Sequence, residues 1–388
     1  MKVACQRERL QSALQVVTSV VGPTTAKPVL QDVKLEASGD ALVLSATDLE
    51  VGVQYRLTDV EVAEQGAALV PARRLNDIVR NAVDEVLQLE WTDTTLIIRG
   101  QNSQFRVLGE DPDEFPALPA PNDKEAVHVG GAFLTGLIKR TLFAAAAQST
   151  RYTLNGLYVE LEDKTISMTA TDGHRLAHVE RPLSAPVSAA VRGIVPAKAA
   201  ALVERSLGPD DDVSLRMGEN DIVVWTDRLT IYARLLEGTF PRYREVIPAG
   251  SAFRLEAPTR ELERCVRQAA VLTSDESRAV RFHLDENHLT LRSRTPEAGE
   301  AQVDLAITYA GDPLVIGFNP KFIADALGAV EEEAVQMELS AADRPGVIKD
   351  GKGYLCVLMP LSLADTTPAA EEPEPETETQ EEPQEDEK

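Results

Sequence analysis

His174 and His178 form an HxxxH spacing, the first arrangement in the chain that could carry chemistry. On a helix, two histidines four residues apart share a face and can hold zinc beside a glutamate that acts as base. Here Arg175 stands in the glutamate's place and the run follows the strand-like TISMTATD, so zinc is set aside. What is left is one groove histidine and one exposed strand residue. Gly346 to Lys352, GVIKDGK, imitates a phosphate loop until Gly353 replaces the required Ser or Thr. A strand, YLCVLMP, follows where a helix should, so the segment reads as a surface turn. Cys5, Cys265 and Cys356 are too scattered for a disulfide framework or a paired-cysteine metal site and read as small buried apolar residues. With no GxGxxG, GxSxG or paired-carboxylate pattern, the expectation is no enzyme, no catalytic residue, no metal and no cofactor.

The elements that position these residues repeat. VPARRLNDIVRNA at Val70 answers to VPAKAAALVERSL at Val195 and FNPKFIADALGAV at Phe318, with prolines at 71, 196 and 320. SATDLEVGV, TATDGHRLA and RSRTPEAGEA place Thr47, Thr171 and Thr295 at equal intervals of 124 residues. A period that long means whole domains, not solenoid units of roughly 20 to 50 residues. The expected units are 1–121, 125–245 and 250–363, followed by an acidic tail, 364–388. Leu10, Ala13, Leu14, Val17 and Val21 mark one helix face, as do Leu75, Ile78, Val79 and Ala82. The intervening runs, such as ALVLSATD and DIVVWTD, are short, β-rich and broken by Asp, Asn and Gly. The fold class is α+β, with mostly antiparallel strands and two helices per domain.

The 388 residues carry a net charge of -24, which argues against nucleic acid until the charges are located. Residues 365–388 hold 11 acids and one lysine, with no apolar residue larger than alanine; this composition predicts disorder. Helices expected at 7–21, 71–82, 132–147, 196–207, 258–273 and 320–330 carry 13 basic and 6 acidic residues, against an acidic remainder. Charge alone allows two readings, solvated helix faces or one surface that attracts phosphate. No signal-peptide segment opens the chain and no apolar run approaches the ~20 residues of a membrane span, so a cytoplasmic location is expected.

The opening MKV, TDLEVGV, VPAR, RYTLNG, ATDGHRLA, EGTFPRYREVIP, GFNPKF and the closing MPLSL, in this order, resemble the bacterial DNA polymerase III beta subunit, the processivity sliding clamp, over residues 1–363. The resemblance implies three repeated clamp domains per chain and two chains in a head-to-tail ring with helices facing a central hole. It implies duplex DNA, encircled without sequence specificity, as one partner. The replicative polymerase, the clamp loader and other replication and repair proteins would dock by short peptides. The implied peptide cleft comprises Leu154, Thr171, Gly173, His174, Arg175, Leu176, Pro241, Val246, Val357, Met359, Pro360 and Leu361. The implied DNA-facing set is Arg7, Arg73, Arg74, Arg80, Lys139, Arg140, Gln148, Arg151, Tyr152, Lys198, Arg205, Arg264 and Arg267. Glu245 and Ser362 stand where relatives often carry arginine, and Thr24 replaces a basic DNA-contacting position. The tail is expected either to solubilise or to repel acidic partners and compete for Arg175. Two other functions stay open on the residues alone: a peptide-binding scaffold that never encircles DNA, which a missing dimer would favour, and a metal hydrolase using His174 and His178, which metal analysis would exclude.

Overall fold

The computed structural model describes residues 1–362 except 23, 24, 26, 148, 274–278 and 297; Thr24, Gln148, Leu363 and the tail 364–388 therefore lie outside the described residues. Within them the chain forms six α-helices: α1 (Arg7–Thr18), α2 (Ala72–Asn81), α3 (Gly131–Lys139), α4 (Ala197–Ser206), α5 (Thr259–Ala269) and α6 (Pro320–Gly328). They pack in pairs, α1 on α2, α3 on α4 and α5 on α6, one pair per domain.

Each helix buries one stripe. In α1 it is Leu10, Ala13, Leu14 and Val17; in α5 it is Leu262, Cys265, Val266 and Ala269. This i, i+3, i+4, i+7 spacing sets one face on the core, with about 1.5 to 3 kcal/mol from each large side chain buried. The repeated prolines sit at helix starts, Pro71 and Pro196 as N-caps and Pro320 in the first turn, where a missing N–H leaves no intrahelical bond unmade. The helix expected over 132–147 stops at Lys139. The Thr141 hydroxyl donates back to the Leu137 carbonyl at 2.8 Å, Arg140 is drawn into a buried ion pair, and the chain continues only as a single 3-10 turn, Leu142–Ala144.

The strands form four antiparallel sheets among the described residues, and two of these cross domain boundaries. In the eight-stranded sheet, Leu229–Arg234 of the second domain pairs with Val51–Leu57 of the first. In the nine-stranded sheet, Tyr354–Leu358 of the third domain pairs with Arg175–Pro182 of the second. A five-stranded sheet in the first domain and a four-stranded sheet in the third close the two ends. Thr47, Thr171 and Thr295 each end a strand, so the 124-residue interval of the sequence is an interval between equivalent turns.

Candidate partner cleft and nucleic-acid surface

The turn after Thr171 is built by its own side chains. Thr171 Oγ1 donates to the Arg175 carbonyl at 2.6 Å and accepts from the Gly173 N–H at 3.1 Å. Asp172 Oδ1 accepts from the backbone N–H groups of His174 and Arg175 at 2.9 and 3.0 Å. Gly173 sits at φ +92°, a conformation that a Cβ would strain. The turn thus leaves Gly173 and His174 exposed and points Arg175 inward.

Arg175 is buried and fully engaged. Its Nε donates to Asp172 at 3.0 Å and its Nη1 to Asp325 of α6 at 2.7 Å; Nη2 donates to the Phe143 carbonyl. Its guanidinium lies 4.3 Å from the Phe322 ring centroid and 5.3 Å from that of Phe143. It therefore locks the second domain to the third, and the expectation that the acidic tail competes for it does not fit a guanidinium already engaged in this way.

Leu176 pairs with Val357 across the junction, and both belong to a small apolar cluster with Ile194, Phe240, Tyr243 and Val347, separate from the main core. Pro241 and Val246 flank Tyr243 and are bonded to it through the backbone, which holds them at the rim. The Met359 N–H donates to the His174 carbonyl at 2.9 Å, so the chain leaving the last strand passes directly beside the turn. Leu361 donates to Gly317 at 2.8 Å, and Pro360 lies half-buried between them. Met359 is 46% and Val246 55% exposed, so apolar side chains stand open to solvent above the buried Leu176 and Val357. Leu154 is buried at the end of the 3-10 turn Tyr152–Leu154. The result is an apolar floor with an adaptable methionine and a fixed polar turn at its edge, chemistry suited to an extended peptide with apolar anchors.

His178 differs from its expectation as an exposed residue. Its ring bonds Thr169 at 2.8 Å and lies 5.3 Å from the Tyr243 ring. Burial, aided by Arg244 and opposed by Glu160, lowers its pKa to about 4. Tyr243 in turn donates to Glu160 at 2.7 Å, fastening the segment between the second and third domains to the sheet. Beside it lies a cavity of about 800 Å³ lined by Tyr158, Glu160, Arg192, Phe240 and Arg244, which of the expected cleft residues takes only Pro241. Nor is GVIKDGK wholly a surface turn: Gly346–Lys349 is a strand, and Asp350 turns its carboxylate inward.

The basic residues divide. Arg73, Arg74, Arg80, Lys139, Arg151, Lys198, Arg205, Arg264 and Arg267 are exposed, and Tyr152 is 75% exposed beside Arg151. Arg80 and Arg267 pair within their helices, with Asp77 and Glu263, and Arg7 is half-buried against Gln11. Lys198 bonds Asp48 and the Val20 carbonyl of the first domain, so it serves that junction as well. Arg140 must be removed from the DNA-facing set. Its side chain is only 5% exposed, paired with the fully buried Asp350 and with Glu331, and stacked 4.8 Å from the Tyr354 ring centroid. A guanidinium so enclosed joins two domains and meets no phosphate.

The signals missed were partners far along the chain. Asp325, Phe322, Phe143 and Asp350 complete the junction, yet nothing local in FIADALG, TLFAAAA or GVIKDGK marks them. Only Asp172, inside the ATDGHRLA phrase, carried a readable turn signature.

Three family models match in series: the DNA polymerase III beta subunit N-terminal domain over residues 1–119, its central domain over 128–242 and its C-terminal domain over 244–361. The chain belongs to the DNA polymerase III beta subunit family. Among relatives, the "Beta sliding clamp" of Escherichia coli is 33% identical over 370 residues, covering 94% of this chain and 100% of that protein. That of Pseudomonas putida is 32% identical over 371 residues, with the same coverage. A crystal structure of the beta subunit from Pseudomonas aeruginosa superposes with a TM-score of 0.86 at 31% identity, over 94% of this chain and 100% of that one. The sliding clamp from Bacillus subtilis does so with a TM-score of 0.89 at 25% identity, over 93% and 99%. The fold and the role are those of this family, three α+β clamp domains in a DNA sliding clamp. Among the described residues no helix is long and apolar enough to cross a membrane.

Proposed function

We infer that two copies of this chain close head-to-tail into a ring around duplex DNA, tethering the replicative polymerase, the clamp loader and repair proteins by peptides seated in the Leu176–Met359 cleft. The observation that carries this reading is a rule of strand pairing used twice and left open once. At the first junction Val51 opposes Ala233; at the second Arg175 opposes Leu358. Val51 and Arg175 each lie four residues after the repeated threonine, and Gly299 is the third such residue. Ala233 and Leu358 are matched by their hairpin partners Ile222 and Gly346, and Val107, opposite Leu96, is the third. Gln104–Leu108 and Gly299–Ala306 are edge strands of the two end sheets.

Continuing the rule across two copies sets Val107 of one opposite Gly299 of the other. Phe105 then meets Ala301 and Arg106 meets Glu300, an apolar pair and an opposite-charge pair. Such a contact is heterologous, so it closes only at a fixed rotation; six equal domains do so when each junction turns the chain through about a sixth of a circle. A duplex inside such a ring is held by topology. The exposed cations of the helices need only weak phosphate contacts, which permit sliding, and a tethered polymerase gains effective concentration without reading sequence. The role is non-catalytic.

Charge exchange tests the pairing. By light scattering Arg106→Glu and Glu300→Arg should each weaken dimerisation about tenfold or more, and the double variant should recover most of the loss. Retention on circular DNA, lost when the circle is cut, should follow the dimer. Monomers of the unaltered chain at micromolar concentration, or no recovery in the double variant, would overturn the reading.

A further inference from the structure

The second domain lacks a strand pairing that both of the others make. In the first, Val60–Glu64 joins the opening strand Lys2–Gln6, with Val62 opposite Val3. In the third, Thr308–Tyr309 joins Phe253–Pro258, with Tyr309 opposite Leu255. The equivalent strand of the second domain, Val127–Gly130, pairs on one side only, with Asp212–Met217, and is an edge of the eight-stranded sheet. Among the described residues no backbone hydrogen bond reaches its other side. We propose that this edge is a peptide-docking site independent of the cleft, to which an extended segment of a partner protein with alternating apolar and basic residues adds as a strand.

Local sequence explains why the chain does not cover this edge itself. Residues 184–188, SAPVS, lie 124 residues after Val60–Glu64, and Pro186 stands where Val62 pairs. Proline has no N–H to give to a ladder. The segment is drawn instead to the Asp163–Lys164 turn, where the Leu183 N–H donates to the Lys164 carbonyl at 2.7 Å and the Val187 N–H to that of Asp163 at 2.8 Å. Beside the edge opens a cavity of about 660 Å³, lined by Val129, Phe133 of α3, Leu183 and Asp212.

The two faces of the edge set the occupant. Val127 and Val129 pack half-buried against the core, next to the buried Val213 and Leu215, whereas His128, Gly130 and Asp212 are exposed. An added strand keeps this alternation, so every second side chain meets the apolar wall of Val129, Phe133 and Leu183 and those between face outward. The outward face is acidic. Asp212 and Ser214 also line a neighbouring cavity of about 500 Å³ with Asp210, Asp211 and Asp227, and no lysine or arginine lines either one. Asp211 is held by Arg228 at 2.8 Å, but Asp210, Asp212 and Asp227 are in no ion pair among the described residues. Open carboxylates beside an unpaired backbone edge complement lysine or arginine at the outward positions. Val60–Glu64 and Thr308–Tyr309 both run antiparallel to the strand they join, and the added segment does the same. Gln104–Leu108 and Gly299–Ala306 belong to other sheets, so their pairing leaves this edge open.

A fluorescent peptide of alternating valine and lysine, about seven residues long, is the probe, read by anisotropy on the full chain. At low salt it should bind, and hydrogen exchange at residues 127–130 should slow as it does. Alternate N–H groups of a strand face opposite sides, so of two peptides N-methylated on the valines or on the lysines, one should lose about tenfold or more in affinity and the other keep it. Asp210→Lys with Asp212→Lys should weaken the unmethylated peptide about tenfold, with dimerisation by light scattering unchanged. No binding, equal affinities of the two methylated peptides, or undiminished binding to the doubly reversed chain would overturn the proposal. So would loss of binding in Met359→Ala with Pro360→Ala, which would place the peptide in the cleft, or particles larger than a dimer that the peptide dissolves, which would give the edge to a further copy of this chain.

Discussion

The two internal junctions share one strand pairing and differ in what lies beneath it. Where the first buries Val51, the second places Arg175 at the same position of the repeat. Valine enters a dry interface without cost, and the remaining ion pair there, Lys198 with Asp48, stays half in water. Arginine must be paid for with partners: Asp172, Asp325, the Phe143 carbonyl and two aromatic faces, with Arg140 on Asp350 as a second buried link. The first junction is thus held by shape and the second by directed charge. The second is also the one that carries the proposed cleft, and fixed charges hold its turn and its exit strand in one geometry.

Removing single partners should expose this asymmetry. Asp350→Ala strands Arg140 in the interior and should cost about 3 to 5 kcal/mol in denaturant unfolding. Lys198→Ala, its counterpart at the first junction, should cost no more than about 1 kcal/mol, because exposed pairs contribute little. Equal losses would erase the distinction.

A pH series sharpens the comparison within the second domain. His178 has a pKa of about 4 when folded against an ordinary 6.5. Between these values the unfolded chain takes up a proton that the folded chain refuses, so this contribution is complete above pH ~6.5 and is lost as the pH falls towards 4. The loss amounts to about 2 to 3 kcal/mol near pH 4.5, and His178→Gln should flatten it. Asp32 in the first domain, raised to about 6 by burial and Glu110, tilts the opposite way, since there the folded chain holds the extra proton. Urea midpoints of the single variants at pH 7 and 4.5 separate the two slopes.

A smaller change than at Asp350 or His178 is expected at the groove itself. Met359→Ala with Pro360→Ala should weaken a cleft-directed peptide at least tenfold, about 1.4 kcal/mol, and leave the dimer intact by light scattering. Unchanged affinity by fluorescence anisotropy would remove the cleft assignment.

The legible part of the molecule was its local chemistry. Thr47 and Thr171 mark equivalent turns because hydroxyls and carboxylates bond backbone a few residues away, and Pro71, Pro196 and Pro320 mark helix starts for similarly local reasons. What stayed hidden was pairing at a distance. Arg140 and Asp350 are 210 residues apart, and Arg175 and Asp325 are 150 apart. An arginine on a helix end reads the same whether water or a buried carboxylate faces it. Read from sequence, Arg140 is therefore a DNA-facing cation and His178 an exposed strand residue, because only the packed neighbour decides.

The sheet edges at Gln104–Leu108 and Gly299–Ala306 bear on how the proposed ring would be entered. In the proposed two-copy ring, four of the six junctions are continuous with the covalent chain and cannot separate without unfolding a sheet. Only the two clasps can part. Once one clasp is shut, the other closes within a single particle, so its closure no longer depends on protein concentration. Opening one clasp leaves the other as a hinge, and DNA can be admitted at the cost of one five-residue strand pairing while the ring remains a single object.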